Sequence, residues 1–249
     1  MVVTNRILLH SEYRVLAFCG GKGRSALLRK VAEELAKHNK SVLISSSDHQ
    51  KLPLKGDVVI GRSIPMVLDA LKKEFSDRAI VHLGKALSGQ QMTGFNLREL
   101  QRIKSKLPAD YFLIELGGNI EKFIYDVDII RRWSKSHIWN QLIYCMEVSR
   151  IGHSVEKRLV QNFSKFRQNY PNVSSFSQNL LVSYLTDANK GIRTIFEQNW
   201  PALLFINGVN ITQRENRAIT LSRELKLHGI EHIALGNLQA NLIKKLNFV

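Results

Sequence analysis

The chain has 249 residues, enough to bury a sizeable core in one large α/β domain or two small ones, and its 44% hydrophobic and 23% charged content is ordinary for a globular protein. No apolar run approaches the roughly 18 residues that span a bilayer, and the start Met1-Val2-Val3-Thr4-Asn5-Arg6 lacks the pattern of a secretory signal, so a cytoplasmic protein without a membrane partner is expected. The net charge of +15, from 36 basic against 21 acidic residues, admits a nucleic acid, an anionic nucleotide or an acidic protein.

Residues 1–13 read as a lead-in, with a short strand at Arg6–His10. Arg14–Cys19 is the first strong strand, and a helix over Ser25–His38 follows, with Leu27, Leu28, Val31 and Leu35 at helical spacing. Ser41–Ser45 is the next strand. A strand–helix–strand crossover of this length predicts that these two strands are parallel neighbours joined by a right-handed connection. Asp57–Ile60 is a short strand, Ser63 caps a helix over Pro65–Phe75, and Ala79–Leu83 is a strand. Gly84–Phe95 is a glycine-bearing connection, after which Asn96 caps a helix to about Lys106. Asp110–Glu115 is a strong strand ending in Glu115-Leu116-Gly117-Gly118, an acidic residue at a strand tip before a turn.

Residues 119–136 are charged and irregular, Gln141–Val148 is a strand, and Ser154–Tyr170 has the spacing of a basic amphipathic helix. A short helix at Ser177–Leu185, a strand over 201–207, a helix at Thr212–His228, a strand at Glu231–Leu235 and a terminal helix at Leu238–Leu246 complete the series. Alternating apolar strands and helices without a linker or repeat indicate an α/β, doubly wound, mostly parallel sheet. Residues 1–150 form its core, and 151–249 are a helical and α/β extension completing the same domain.

The run Val15–Leu28 organises the rest. A strand passes through Gly20-Gly21-Lys22-Gly23 into a helix, the outline that places an anion on a helix N-terminus. A standard P-loop continues Gly-Lys-Ser/Thr, with the lysine on the outer phosphates and the hydroxyl on Mg²⁺. Here those positions are Gly23-Arg24-Ser25, and the first glycine of the standard spacing falls on Phe18. The frame is P-loop NTPase-like and the lysine is replaced.

These pieces resemble the YqeC-like family, accessory proteins of selenium-dependent molybdenum hydroxylases read as P-loop nucleotide-binding proteins. Gly20–Ser25 lies where the family has glycines followed by Lys-Thr-Thr or Lys-Thr-Ser, and Val42–Ser47 matches a strand followed by threonines, with Pro53 beyond. Gly94-Phe95-Asn96-Leu97 is similar to Lys-Leu-x-Gly-Leu, and Asp110–Gly118 to a strand ending Glu-Ala-Asp-Gly. Lys190-Gly191-Ile192-Arg193 and Ala202–Asn207 resemble a Gly-Leu-x-Lys turn leading to Asn-Lys-x-Asp. Three departures stand out. Arg24 replaces the lysine, Gly117 the aspartate, and Asn207-Gly208-Val209-Asn210 keeps only the asparagine.

The candidate phosphate- or nucleotide-binding residues are Gly20, Gly21, Lys22, Gly23, Arg24, Ser25, Ala26 and Asn207. Lys22 and Arg24 either pair on a phosphate or belong to a plain solvated loop. Ser25 holds Mg²⁺ or caps the helix. Glu115, the candidate catalytic residue, helps bind Mg²⁺ or polarises a water, or else forms a salt bridge with a neighbouring cation. Asn207 has a competing role in local backbone bonding at a strand end. The eight histidines show no metal-binding spacing, and Cys19 and Cys145 read as buried thiols.

The leading expectation is a protein that binds ATP, GTP or another phosphorylated small molecule, with Mg²⁺ as the implied ion and weak or no hydrolysis. The resemblance adds an accessory role toward a hydroxylase partner. The alternative is a non-catalytic basic interaction protein on a P-loop frame that has lost its chemistry. The cations occur at most in pairs such as Lys72-Lys73 or Arg131-Arg132, without interleaved aromatics, so nucleic-acid binding is expected to be weak and sequence-independent.

Overall fold

The computed structural model describes residues 14–53, 56–74, 80–106, 109–117, 121–189, 191–193, 202–209, 212–240 and 242–245. The expected strand at 6–10 lies outside them. Twelve strands are formed within this set: β1 Val15–Gly20, β2 Val42–Ser46, β3 His49–Lys51, β4 Asp57–Ile60, β5 Ile80–Gly84, β6 Ala86–Ser88, β7 Gln91–Thr93, β8 Tyr111–Glu115, β9 Gln141–Glu147, β10 Ala202–Asn207, β11 Ile233–Asn237 and β12 Leu242–Lys245. The described α-helices are α1 Arg24–Lys37, α2 Ile64–Glu74, α3 Leu97–Lys104, α4 Val127–Ser134, α5 Phe163–Asn169, α6 Gln178–Thr186 and α7 Thr212–Leu227. No helix among the described residues is long and apolar enough to cross a membrane.

The main sheet runs β12-β11-β10-β9-β1-β8-β2-β5-β4, parallel throughout except for β12. Its fold is α/β and doubly wound, because β1 is buried on both sides and its residues alternate between two cores. Leu16 and Phe18 pack with Leu27, Leu28, Val31, Ala32 and Leu35 of α1. Val15, Ala17 and Cys19 face the opposite layer, where Leu100 and Ile103 of α3 and Ala218, Leu221 and Leu225 of α7 are buried.

The expected adjacency of β1 and β2 fails. β8 lies between them, pairing Ala17 with Ile114 on one edge and Ser45 with Ile114 on the other. β8, apolar from Tyr111 to Ile114 and buried throughout, takes the slot beside β1, whereas β2 moves one place outward. The chain visits one side of β1 first and then returns to β9 on the other. The loop after β1 therefore sits at a topological switch point, on the carboxyl edge of the sheet.

Other expectations also change. Within 119–136, α4 forms under Asp126, whose carboxylate accepts from the Asp128 amide, and Ile130 is fully buried. The single helix expected over 154–170 breaks. The Leu159 carbonyl accepts from the Phe123 and Ile124 amides, Val160 bridges Ile124, and Asn162 turns left-handed at φ 52° before α5. The 84–95 connection is a hairpin of β6 and β7 that takes β3 as a third strand. In place of a terminal helix, the Asn237 side chain accepts from the Gln239 and Ala240 amides and reverses the chain into β12.

Burial decides what truncation costs. Leu35→Ala, at a site 1% exposed, is expected to cost about 2–5 kcal/mol through the cavity it leaves. Leu227→Ala, at 87% exposure, is expected to stay within about 0.5 kcal/mol in chemical unfolding. Equal effects at the two sites would mean that α1 is not packed on the sheet.

The thiols give a pH signature. Desolvation raises Cys19 from 9.0 to about 12, against a smaller lowering by Arg24, and Cys145 shifts in the same direction. A thiol whose pKa is raised on folding binds its proton more tightly in the native state, so stability is intact below pH 9.0 and declines as pH rises toward 12. Urea midpoints taken from about pH 8 to about pH 11 should fall, and Cys19→Ala should flatten the fall. An identical profile in that variant would rule out the buried thiol as the cause.

Candidate functional site

Only Gly21, Lys22 and Gly23 separate β1 from α1. Phe18, at the first glycine position of the standard spacing, is wholly buried inside β1, and its carbonyl accepts from the Leu116 amide at 2.8 Å. The loop is therefore shorter than a standard P-loop and is held at its base by a hydrogen bond from the Gly21 amide to the Cys145 carbonyl, 2.9 Å. Gly23 lies at the N-cap of α1 with φ 101°, and a Cβ there would stand 2.6 Å from Asn207 Nδ2. Only glycine fits. No side chain caps α1, and its first turn carries no acidic residue. Its positive end is thus left to the glycine loop and solvent. Lys22 is exposed at the loop, with Ala26 half-buried in the first turn of α1.

Arg24 points inward. It is 1% exposed and forks into five acceptors. Nε donates to Glu115 Oε1 at 2.9 Å, and Nη1 to the carbonyls of Gly20 at 3.1 Å and Leu116 at 2.8 Å and to Tyr125 Oη at 3.1 Å. Nη2 donates to the Gly117 carbonyl at 2.7 Å. Burial works to lower the Arg24 pKa, and the Glu115 carboxylate and the Tyr125 hydroxyl outweigh it, so the guanidinium stays charged above its ordinary value. All three nitrogens of this buried side chain are bonded within the protein, which turns it away from the phosphate contact expected of it. Arg24 clamps the ends of β1 and β8 together instead.

Ser25 Oγ donates to Glu115 Oε1, the same oxygen that receives Arg24. Of the two readings of Glu115, the salt bridge is formed, and it is buried. The serine hydroxyl and the carboxylate nonetheless stand side by side at the start of α1 and the tip of β8. A hydroxyl and a carboxylate in that relation are what P-loop proteins place on Mg²⁺. They match the hard-oxygen preference of the ion, which usually takes one or two carboxylates together with substrate phosphates and water. Among the described residues no cluster of three or more His, Cys, Asp or Glu side chains could hold a metal by itself.

Gly117 has φ 78°, and a Cβ on it would meet the Trp133 ring at 3.0 Å. An aspartate at that position, as in the similar Glu-Ala-Asp-Gly segment, would be strained and crowded here. Asn207 is a long-range bracket rather than a local cap. Its Nδ2 donates to Glu147 Oε2 at 3.0 Å, and its Oδ1 accepts from the Leu238 amide at 3.2 Å. The structure brings Asn207 beneath Gly23 and places Ser25 and Glu115 beside each other, on the other side of α1's first turn.

Sequence reasoning missed Tyr125, Glu147 and the side chains around a cavity of about 320 Å³ that opens from Ser25 and Glu115 toward β3. Glu147 had a usable signal. Like Glu115, it is an acid at the tip of a long apolar strand before a turn. Tyr125 had none, because its position against Arg24 depends on how the chain returns after β8.

No family model matches the chain, nor does any curated protein. Among solved structures it is similar to FlhF in complex with GMPPNP and Mg²⁺, with 11% identity over 94% of this chain and 70% of that one, TM-score 0.48. Chloroplast FtsY from Physcomitrella patens matches at 11% identity over 94% and 62%, TM-score 0.45. Cell division protein FtsY from Thermotoga maritima matches at 12% over 94% and 65%, TM-score 0.46. The chain thus spans about two thirds of the length of these proteins, and likeness at this level carries no functional weight. The β1–glycine loop–α1 unit at the centre of a doubly wound parallel sheet is what makes the fold P-loop NTPase-like.

The Arg24 fork predicts an order of stabilities. Arg24→Met, which leaves Glu115 buried and unpaired, should cost about 3–5 kcal/mol. Arg24→Lys keeps a charge against Glu115 but cannot serve five acceptors, and should cost less than Arg24→Met while remaining below wild type. A lysine variant as stable as wild type in urea unfolding would mean that the carbonyl contacts contribute nothing.

Proposed function

We propose that this protein binds a phosphorylated small molecule of the nucleotide class at Gly20–Ala26 and turns it over slowly or not at all. The observation that carries the proposal is the uncapped amino end of α1, behind a glycine loop at the switch point of the sheet and beside the Ser25–Glu115 pair. The donors are backbone N–H groups, which do not depend on the missing lysine. Lys22 is the exposed cation available to the ligand from the loop. Ser25 and Glu115 are the residues that would hold Mg²⁺, which when bound neutralises phosphate charge.

The weak-turnover half follows from where the charges are. Arg24 is buried and each of its three nitrogens is bonded within the protein, so it is poorly placed to meet charge developing on a transferring phosphoryl group. Glu115, bonded through Oε1 to Arg24 and Ser25, is a positioning and charge-balancing group in this reading rather than a free base. Asn207 supports the loop from below through Gly23. The accessory role toward a selenium- or molybdenum-dependent hydroxylase rests on the sequence resemblance alone, and the nucleotide proposal stands without it.

Calorimetry with ATP, GTP and their diphosphates, with and without Mg²⁺, together with a phosphate-release assay, tests both halves. Binding with negligible release is expected, and Lys22→Gln should weaken it by about 0.5–1.5 kcal/mol without altering stability. Absence of heat with every nucleotide removes the binding half. Sustained phosphate release, lost in Glu115→Gln while the fold is retained, removes the other.

A further inference from the structure

The cavity of about 320 Å³ shares Ser25 and Glu115 with the proposed phosphate site, and the rest of its lining, mostly from α1, β2, β3, β5 and β7, is not used by the phosphate proposal. Its volume falls within the range of sites for small organic ligands, roughly 300–1,000 Å³. Leu28 of α1 and Ile44 of β2, both buried, give it an apolar floor. Arg29, one residue further along α1, and Lys51 of β3 stand exposed at its mouth, and among the described residues neither makes an ion pair. His49 adds an imidazole, which is 3.4 Å from Thr93 Oγ1. The carboxylate in the wall, Glu115, is already balanced by Arg24. The lining therefore carries an unbalanced positive charge above an apolar base.

A second observation points to a ligand. Gln50 lines the same cavity, and its Nε2 is buried with no hydrogen-bond partner among the described residues. A buried amide donor left unmade costs about 1–3 kcal/mol, a penalty removed when an acceptor enters. Gln50 and Lys51 of β3 line this cavity together with Arg29 of α1. An anionic group between the two cations, with an oxygen on Gln50 and an apolar portion on Leu28 and Ile44, satisfies each feature at once.

We propose that this cavity is a second binding site, for a small organic anion, a carboxylate or a phosphate monoester with an apolar portion, next to the phosphate site of the loop. The proposal stands on the cavity's own residues and does not require the loop to bind a nucleotide. Phenyl phosphate, phenylacetate and the neutral benzyl alcohol are suitable probes, titrated into the full-length ¹⁵N-labelled protein at constant ionic strength. Saturable shifts of the His49 and Gln50 amides and of the Gln50 side-chain amide are expected with one or both anions. Saturation by only one of them identifies the head group. The combined variant Arg29→Gln with Lys51→Gln should weaken that binding about tenfold or more. In the same variant ATP should still shift the Gly21–Ala26 amides.

Three results would overturn the proposal: unchanged affinity in the double variant, equal binding of benzyl alcohol, or anion shifts confined to Gly21–Ala26. Failure of the loop reading looks different. In that case ATP leaves Gly21–Ala26 unmoved whatever the phenyl anions do at Gln50.

Discussion

The guanidinium of Arg24 is the interaction on which the centre of this molecule depends. Three carbonyls, of Gly20 at the end of β1 and of Leu116 and Gly117 just beyond β8, converge on one side chain. A planar fork can serve several acceptors at fixed angles, which an ammonium cannot. The Glu115 carboxylate supplies the opposite charge that makes burying the fork tolerable. The substitution that looks in sequence like the loss of a phosphate-binding lysine is, in the fold, the gain of a clamp between β1 and β8. That clamp also explains the short loop. With its arginine anchored below and Gly21 bonded to Cys145, the loop has little slack to wrap a phosphate chain.

Much of the fold was legible because its signals are local. The strands β1, β2, β8, β9 and β10 are apolar runs bounded by turns, and α1 shows its buried face through Leu27, Leu28, Val31 and Leu35. Asn96 and Glu99 form a reciprocal cap that the residue types announce. The errors arise where partners distant in sequence decide. Nothing local places β8 between β1 and β2. Leu159 leaves a helical pattern because the Phe123 and Ile124 amides need its carbonyl. β3, β6 and β7, at three residues each, are too short for any period to register, and they stand only because they pair with one another.

The site was legible in part for the same reason. The glycines, Ser25 and Glu115 announce themselves by residue type at a strand end, and the structure does bring the last two together. Their chemistry was less visible, because it depends on which way a side chain turns. Arg24 and Arg29 lie five residues apart on one helix. One is buried with all three of its nitrogens bonded, and the other is exposed at a cavity mouth. Sequence assigns both the same charge, and only packing against Tyr125 and the carbonyls at the end of β1 and just beyond β8 separates a structural cation from an available one.

That separation bears on how the positive surplus of the chain should be read. A formal charge of +15 overstates what a ligand meets, since Arg24 is spent internally and others, such as Lys85 on Glu99 and Lys165 on Asp126 and Asp128, are paired. Near the sheet's carboxyl edge, Lys22 stands exposed on the loop beside the Ser25–Glu115 pair, and Arg29 and Lys51 stand exposed at the cavity that the pair also lines. Two anion-attracting regions thus flank one hydroxyl–carboxylate contact. Because Glu115 is locked to Arg24, filling either region leaves the clamp in place, and Ser25, the half-buried member of the pair, is the residue both ligands would share.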